Sequence, residues 1–167
     1  RVRFKIKGQI SPRVFFYFQP DFAKSIGEAH HVGRLKDAYI DFGLDKKNEF
    51  RLRIGQSKVP FGFENMQSSS NRLPLDRNDA LNSAVKDERD LGVFFYWATE
   101  EKRALIKKLR KAGLSGGDFG LFALGFYNGQ TANHYDENNE FHVVTRFSFP
   151  IEIGSQVIES GIQAYSG

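Results

Sequence analysis

The sequence contains no cysteine, and methionine and tryptophan occur once each among its 167 residues. Without cysteine the chain has no disulfide framework and no thiolate metal site. No stretch approaches the roughly 18 consecutive apolar residues that a transmembrane helix requires. Disulfide-stabilised domains, cysteine-ligated zinc sites and helical membrane spans are therefore excluded.

Phenylalanine and glycine are abundant instead, with 17 and 16 copies. Many aromatic residues and many glycines, with few long aliphatic ones, favour β-structure over helix bundles. The formal net charge is +4, from 24 basic and 20 acidic residues. This mildly basic balance matters less than the way in which the charges are distributed along the chain.

The opening segment alternates charged and apolar side chains with a period of two, as in a β-strand with one polar face. Its cationic positions are Arg1, Arg3, Lys5 and Lys7, and its apolar positions are Val2, Phe4 and Ile6. Further along, Arg51 and Arg53 alternate in the same way with Phe50, Leu52 and Ile54. Both segments predict strands that have a cationic face and an apolar face.

Eight strands are predicted, at about residues 1–10, 13–19, 34–45, 49–62, 90–98, 118–128, 140–153 and 156–166. Short turns alternate with long polar segments, which places the turns at one end of an antiparallel meander and the loops at the other. The exception is a short basic helix at 100–112, whose first turn is acidic and whose last turn is basic. The pattern predicts an all-β fold: one partial antiparallel transmembrane β-barrel domain over residues 1–167, with a short periplasmic helix.

The alternation also predicts which face meets lipid. A cation on the lipid face at mid-bilayer costs roughly 2–4 kcal/mol, so four in one strand would approach the whole stability of a typical domain. We therefore expect the cations to face a water-filled lumen, where arginine and lysine attract anions and the arginine fork grips phosphate oxygens. The alternative is that these cations solvate an ordinary sheet, or pair with Asp37, Asp41 and Glu159.

From Phe50 onward the sequence resembles the phosphate-selective porin O and P family. The segments that carry the resemblance are RLRIGQSKVPFGFENMQSSSNRLPLDRNDAL, DERDLGVFFYW and GLFALGFYNGQ. The resemblance implies a trimeric outer-membrane porin of sixteen strands that passes anions. Both ends of the chain look cut, so we expect a fragment of about half the barrel, whose open edges need the missing strands as partners.

The resemblance maps the long polar segment 64–89 onto a constriction loop that folds into the pore. The basic candidates in this loop are Arg72 and Arg77, with Lys58 at its approach. The same segment holds acidic residues, among them Glu64 and Glu88, which leaves open whether phosphate or another anion is favoured. The predicted pore-lining, anion-binding residues are Arg1, Arg3, Lys5, Lys7, Arg51, Arg53, Lys58, Arg72 and Arg77.

Other chemistry is not predicted from the sequence. There is no nucleophile–base set, no phosphate-cradling glycine loop and no zinc spacing, so we expect neither an enzyme nor a cofactor. We expect His30, His31 and His134 to be solvated, and the segment from Asp76 to Asp79 lacks the spacing of a calcium loop. The basic helix could touch anionic lipid or nucleic acid, but we expect a solvated cap and no nucleic-acid partner.

Three functions are compatible with this reading. The first is passive diffusion of small anions, phosphate or polyphosphate, through a homotrimeric channel surrounded by the lipid of the bacterial outer membrane. The second is a non-transport barrel that acts as an anchor or adhesin through its long loops. The third is a soluble β-barrel carrier whose apolar face surrounds a ligand. Purification without detergent would identify the third, and conductance separates the first from the second.

Overall fold

We analysed the protein as a computed structural model. The structure describes residues 2–22, 25–26, 29–30, 33–68, 71–72 and 77–167, with the backbone alone described at 25–26 and 29–30. In this part of the chain, no helix is long and apolar enough to cross a membrane.

Nine strands form one open antiparallel sheet within the described residues. These strands are β1 (Val2–Arg3), β2 (Ile6–Ser11), β3 (Val14–Phe22), β6 (Gly33–Gly43), β7 (Phe50–Lys58), β8 (Arg89–Trp97), β9 (Phe122–Tyr127), β10 (His142–Ile153) and β11 (Gln156–Ser166). Two short strands between them, β4 (Ser25–Ile26) and β5 (Ala29–His30), form a separate hairpin. From β3 onward each strand of the large sheet pairs with its neighbour in sequence, which confirms the predicted all-β antiparallel class.

The first predicted strand is divided into β1 and β2. The large sheet therefore has nine strands, where the sequence predicts eight. Val2 pairs with Phe22 and Ile6 pairs with Phe18, both across β3. Between these pairs the Phe4 N–H donates to the Pro20 carbonyl at 3.3 Å. Proline has no N–H to return the second bond of the pair, so the ladder breaks opposite Pro20.

The connections differ in length at the two ends of the sheet. The turn end carries residues 12–13, 44–49 and 154–155, together with the long connection 98–121 that contains α3 (Glu100–Lys111). The loop end carries residues 23–32, 59–88 and 128–141. Segment 59–88 contains α1 (Phe63–Met66), α2 (Asp79–Ala84) and a 3-10 turn (Lys86–Glu88).

Two strands are shorter than the sequence predicts. β7 ends at Lys58 rather than at residue 62, because the chain turns away from the sheet at Val59 and Pro60, where the Phe61 N–H donates to the Val59 carbonyl. β9 begins at Phe122 rather than at residue 118, because Gly120 has a positive φ of 70° that a strand does not accommodate.

The two faces of the sheet have opposite polarity. One face, called the outer face below, is apolar and exposed along its length. Its members include Phe4, Ile6, Phe18, Ile40, Phe42, Phe50, Ile54, Val93, Phe126, Phe147, Phe149 and Ile151. The opposite, inner face carries the charged side chains and the buried core. Because successive side chains of a strand point to opposite faces, the period-two sequence pattern produces this separation directly.

The core lies between the inner face and segment 59–88. Phe94, Tyr96 and Val144 of the sheet pack in one cluster with Val59 and Met66 of this segment. The segment is thereby held against the sheet by apolar burial as well as by polar contacts.

Candidate permeation surface

Most arginines of the inner face are paired with carboxylates. Five pairs have N–O distances between 2.6 and 2.9 Å. They are Arg3–Asp21, Arg51–Asp118, Arg53–Asp41, Arg89–Asp37 and Arg146–Glu159. The inner wall is therefore a ladder of nearly neutral ion pairs rather than a row of free cations. Of the three carboxylates named from the sequence as possible partners of the predicted cations, Asp41 pairs with one of them, Arg53, whereas Asp37 and Glu159 pair with Arg89 and Arg146.

Arg53 is a buried member of this ladder with contacts on several sides. Its Nε and Nη2 donate to the two carboxylate oxygens of Asp41, at 2.6 and 2.8 Å. The guanidinium also lies 3.9 Å from the ring centre of Tyr39 and 5.2 Å from that of Tyr96. A cation held by a two-point carboxylate contact and by aromatic faces stabilises the wall, and burial leaves little of this guanidinium accessible to a passing anion.

Asp118 joins the wall to α3. It accepts hydrogen bonds from Arg51 Nη2 at 2.7 Å and from Arg103 Nε, on the helix, at 2.9 Å. Burial raises the pKa of Asp118, but the charges of Arg51 and Arg103 outweigh burial and hold that pKa below its ordinary value. The carboxylate is therefore ionised at neutral pH and bridges strand and helix.

Lys58 stands at the end of β7, and its ammonium is occupied by protein acceptors. It donates to the carbonyl oxygens of Asn65 at 2.7 Å, Met66 at 3.2 Å and Gln67 at 2.7 Å. It also lies 3.1 Å from a carboxylate oxygen of Glu88. An ammonium group has three hydrogens to donate, so no donor of Lys58 is left for an anion.

Segment 59–88 folds across the inner face, as the resemblance implied for a constriction loop. The Gly62 N–H donates to Oε1 of Gln163, on the last strand of the sheet, at 2.9 Å. The Phe61 ring lies 5.8 Å from the ring of Tyr165 on the same strand. This segment, called the infolded loop below, therefore crosses from β7 to the opposite part of the sheet.

The other predicted cations differ in what they contact. Lys5 and Lys7 are exposed on the inner side of the edge strand, and among the described residues they have no ion pair. Arg72, on the infolded loop, has buried Nε and Nη1 atoms with no acceptor in the described part of the chain. Arg77 pairs with Glu88 at 2.8 Å.

Arg1 lies outside the described residues, as do His31 and Asp76.

Helix α3 covers the turn end of the inner face. Thr99 caps its first turn by accepting from the Lys102 N–H. Leu105 and Ile106 are buried, and Ile106 lines a small cavity with Met66 of the infolded loop. The helix is therefore not the fully solvated cap expected from the sequence, because its apolar stripe packs against the interior.

The opposite side of α3 is exposed and basic. Lys107, Lys108, Arg110 and Lys111 have exposed side chains. This basic side lies opposite the apolar stripe of α3 that packs against the interior.

Sequence reasoning missed Arg89, Arg146 and Asp118 as members of the inner wall. In β10, Val144 and Arg146 point to the inner face, and Phe147 points to the outer face. Strand periodicity can therefore indicate the face of Arg146, but it does not indicate that Glu159 is its partner. Asp118 lies outside any strand, and only the fold brings it to Arg51, 67 positions away in sequence. Within the described residues, no group of three or more His, Asp or Glu is arranged to hold a metal ion.

A sheet that is apolar outside, charged inside and crossed by an infolded loop has the architecture of a porin wall. The chain belongs to the phosphate-selective porin O and P family, whose model matches residues 1–167. This match confirms the family indicated by the sequence and covers the opening strands as well. Membership places the chain among outer-membrane porins, which are channels rather than enzymes. No curated protein and no solved structure matches the chain.

Proposed function

We propose that the full-length protein is a homotrimeric outer-membrane channel for the passive diffusion of small anions, with phosphate or polyphosphate as the preferred class. The observation that carries the proposal is the separation of the two faces of the described sheet, with the ion-paired side chains on the inner face and an apolar surface on the outer face. Such a sheet is stable where lipid covers one face and water the other.

The positive charge available to a passing anion is concentrated away from the paired wall. Helix α3 has six basic and two acidic residues, and the chain has 24 and 20. The remaining 18 basic residues thus equal the remaining 18 acidic ones, and the whole net charge of +4 resides in α3. The exposed cations of α3, with Lys5, Lys7 and Arg72, are therefore the proposed anion contacts.

This division of roles follows from electrostatics. A cation that already has a carboxylate at hydrogen-bond distance contributes little field beyond the pair, whereas unpaired cations near an aqueous channel raise the local anion concentration. Arg51 and Arg53, predicted from the sequence to bind anions, are proposed instead to shape the wall. Lys58 and Arg77 are proposed to hold the infolded loop.

The first experiment measures the reversal potential of the full-length protein in a planar bilayer under a KCl gradient, followed by titration with phosphate. We expect anion selectivity and a reduction of the chloride current by phosphate. A cation-selective protein would contradict the proposal, and a silent one would favour a barrel that acts as an anchor or adhesin.

Replacement of Lys107, Lys108, Arg110 and Lys111 together by glutamine tests the role of α3. We expect the reversal potential to shift toward that of an unselective pore, because the neutral remainder of the chain lacks an excess of cations. The matched control also removes four exposed cations, Arg13, Lys46, Lys47 and Lys86, which lie outside α3, by replacement with glutamine. An equal shift in both variants would show that α3 has no special role.

A further inference from the structure

The outbound arm of the infolded loop, residues 59–68, is bound at the end of α1 by the side chain of Lys58, in addition to its apolar contacts with the sheet. Lys58 is the last residue of β7, and the three carbonyl oxygens that it binds belong to Asn65, Met66 and Gln67 at the end of α1. These carbonyls have no partner inside so short a helix. Lys58 therefore closes the outbound arm back on the strand from which it departs.

The return arm of the infolded loop, residues 77–88, contacts the same lysine through Glu88. Glu88 has a φ of +67° and follows Asp87, at +61°, so both hold a left-handed backbone that non-glycine residues rarely adopt. Its buried carboxylate pairs with Lys58 at 3.1 Å and with Arg77 and Arg89 at 2.8 Å each. A strained conformation of this kind persists only where surrounding contacts enforce it.

The three cations around Glu88 come from different parts of the chain. Lys58 is the last residue of β7, Arg77 belongs to the infolded loop, and Arg89 is the first residue of β8. The side chains of Lys58 and Glu88 are 14 % and 7 % exposed. Removal of Glu88 leaves the ammonium of Lys58 buried without a carboxylate, whereas removal of Lys58 leaves Glu88 with Arg77 and Arg89 but frees the carbonyls at the end of α1. The pair thus joins both arms of the loop at one point.

We propose that Lys58 is a positioning residue of the pore, which with Glu88 fastens the two arms of the infolded loop and so sets the width of the aperture. The inference deepens the proposed function, since it assigns a role in the same channel. It concerns the width and not the charge of the pore, and therefore holds whether or not the channel selects anions. The sequence-based expectation that Lys58 binds an anion is replaced by this role.

The test compares Lys58→Met and Glu88→Gln with the unmodified full-length protein in planar bilayers. The size of the aperture is measured with neutral polyethylene glycols of increasing mass, which report width independently of selectivity. We expect both variants to admit larger polymers and to conduct more, because the loop arms separate when the pair is lost. Lys58→Arg keeps the charge and the donors, and should restore most of the original exclusion limit.

Lys46→Met is the matched control, because it removes the same charge from an exposed position in the turn 44–49, away from the infolded loop. It should leave the exclusion limit unchanged. An unchanged limit in both Lys58→Met and Glu88→Gln would overturn the proposal. So would a weaker phosphate block in Lys58→Met at an unchanged limit, which would make Lys58 an anion contact. If Lys58→Met fails to fold, Glu88→Gln decides, since it leaves the carbonyl contacts of Lys58 in place.

A second measurement separates this inference from the proposed function. Trypsin is added to the folded protein in detergent, and cleavage after Arg72, Arg77 and Lys86 of the loop is followed. Release of the loop arms should speed this cleavage several-fold in both variants, because proteolysis follows the population of opened segments. Unchanged cleavage would overturn the positioning role even in a protein that does not conduct, whereas silence in the bilayer contradicts the channel alone.

Discussion

The two faces of the sheet invert the arrangement of a water-soluble protein. On β7, Arg53 is 7 % exposed and its neighbour Ile54 is 45 % exposed. The same inversion continues across the sheet, with phenylalanine and isoleucine outside and ion pairs inside. The comparison teaches that exposure here measures distance from the packed interior, since apolar side chains occupy the exposed face and charged ones the buried face.

The comparison also distinguishes two groups of cations. Four wall arginines are buried beside carboxylates, whereas Lys5, Lys7 and four cations of α3 are exposed; the buried arginines are Arg51, Arg53, Arg89 and Arg146, and the exposed cations of α3 are Lys107, Lys108, Arg110 and Lys111. Pairing lets the wall arginines hold neighbouring strands together, since Arg53 of β7 binds Asp41 of β6 and Arg146 of β10 binds Glu159 of β11. A high content of arginine on an inner face is therefore no measure of the anion-attracting field.

The largest expected loss of folding stability comes from removing one member of a buried ion pair on the inner face. Arg53→Met leaves the Asp41 carboxylate buried without its partner, which costs about 3–5 kcal/mol when one member of a buried pair is removed. Urea unfolding of the full-length protein in detergent micelles measures this loss. The double variant Asp41→Leu with Arg53→Met should recover most of it. Equal losses in the single and double variants would show that the pair is not the cause.

A charge introduced on the outer face, at the next residue of β7, should lower the folding stability somewhat less. Ile54→Arg places a cation toward lipid near the middle of β7, where the penalty is roughly 2–4 kcal/mol. Unfolding in lipid bilayers measures the cost, with Ile54→Met as the uncharged control. A variant as stable as the control would mean that this face does not meet lipid.

The smallest expected effect is a change in the pH dependence of folding stability. Because Arg51 and Arg103 hold the pKa of Asp118 below its ordinary value, this carboxylate stabilises the folded state above that ordinary value. The stabilisation is lost as the pH falls through the lowered pKa, where the folded carboxylate takes up its proton. Unfolding measured from neutral to acidic pH should show a smaller decline in Asp118→Asn. An identical decline in both proteins would contradict the bridge between β7 and α3.

Much of the fold could be predicted because strand periodicity is local. The alternation around Arg51 and Arg53 needs only the neighbouring residues, and the apolar and cationic faces follow from it. The division of the first strand into β1 and β2 could not be predicted, because it depends on the pairing of Phe4 with Pro20 of β3. The turn of the chain away from the sheet after Lys58 was missed for a similar reason, because apolar residues that enter the core resemble those that continue a strand.

The sequence by itself determined the antiparallel sheet, the assignment of its two faces and the family, because each rests on short-range alternation or on contiguous motifs. Only the tertiary structure decided which cations are free. The partners of Arg51, Arg53 and Lys58 lie between 7 and 67 positions away, and no local pattern marks such pairs. Charge is a property of single residues, whereas the field that a passing anion meets depends on which charges the fold brings together.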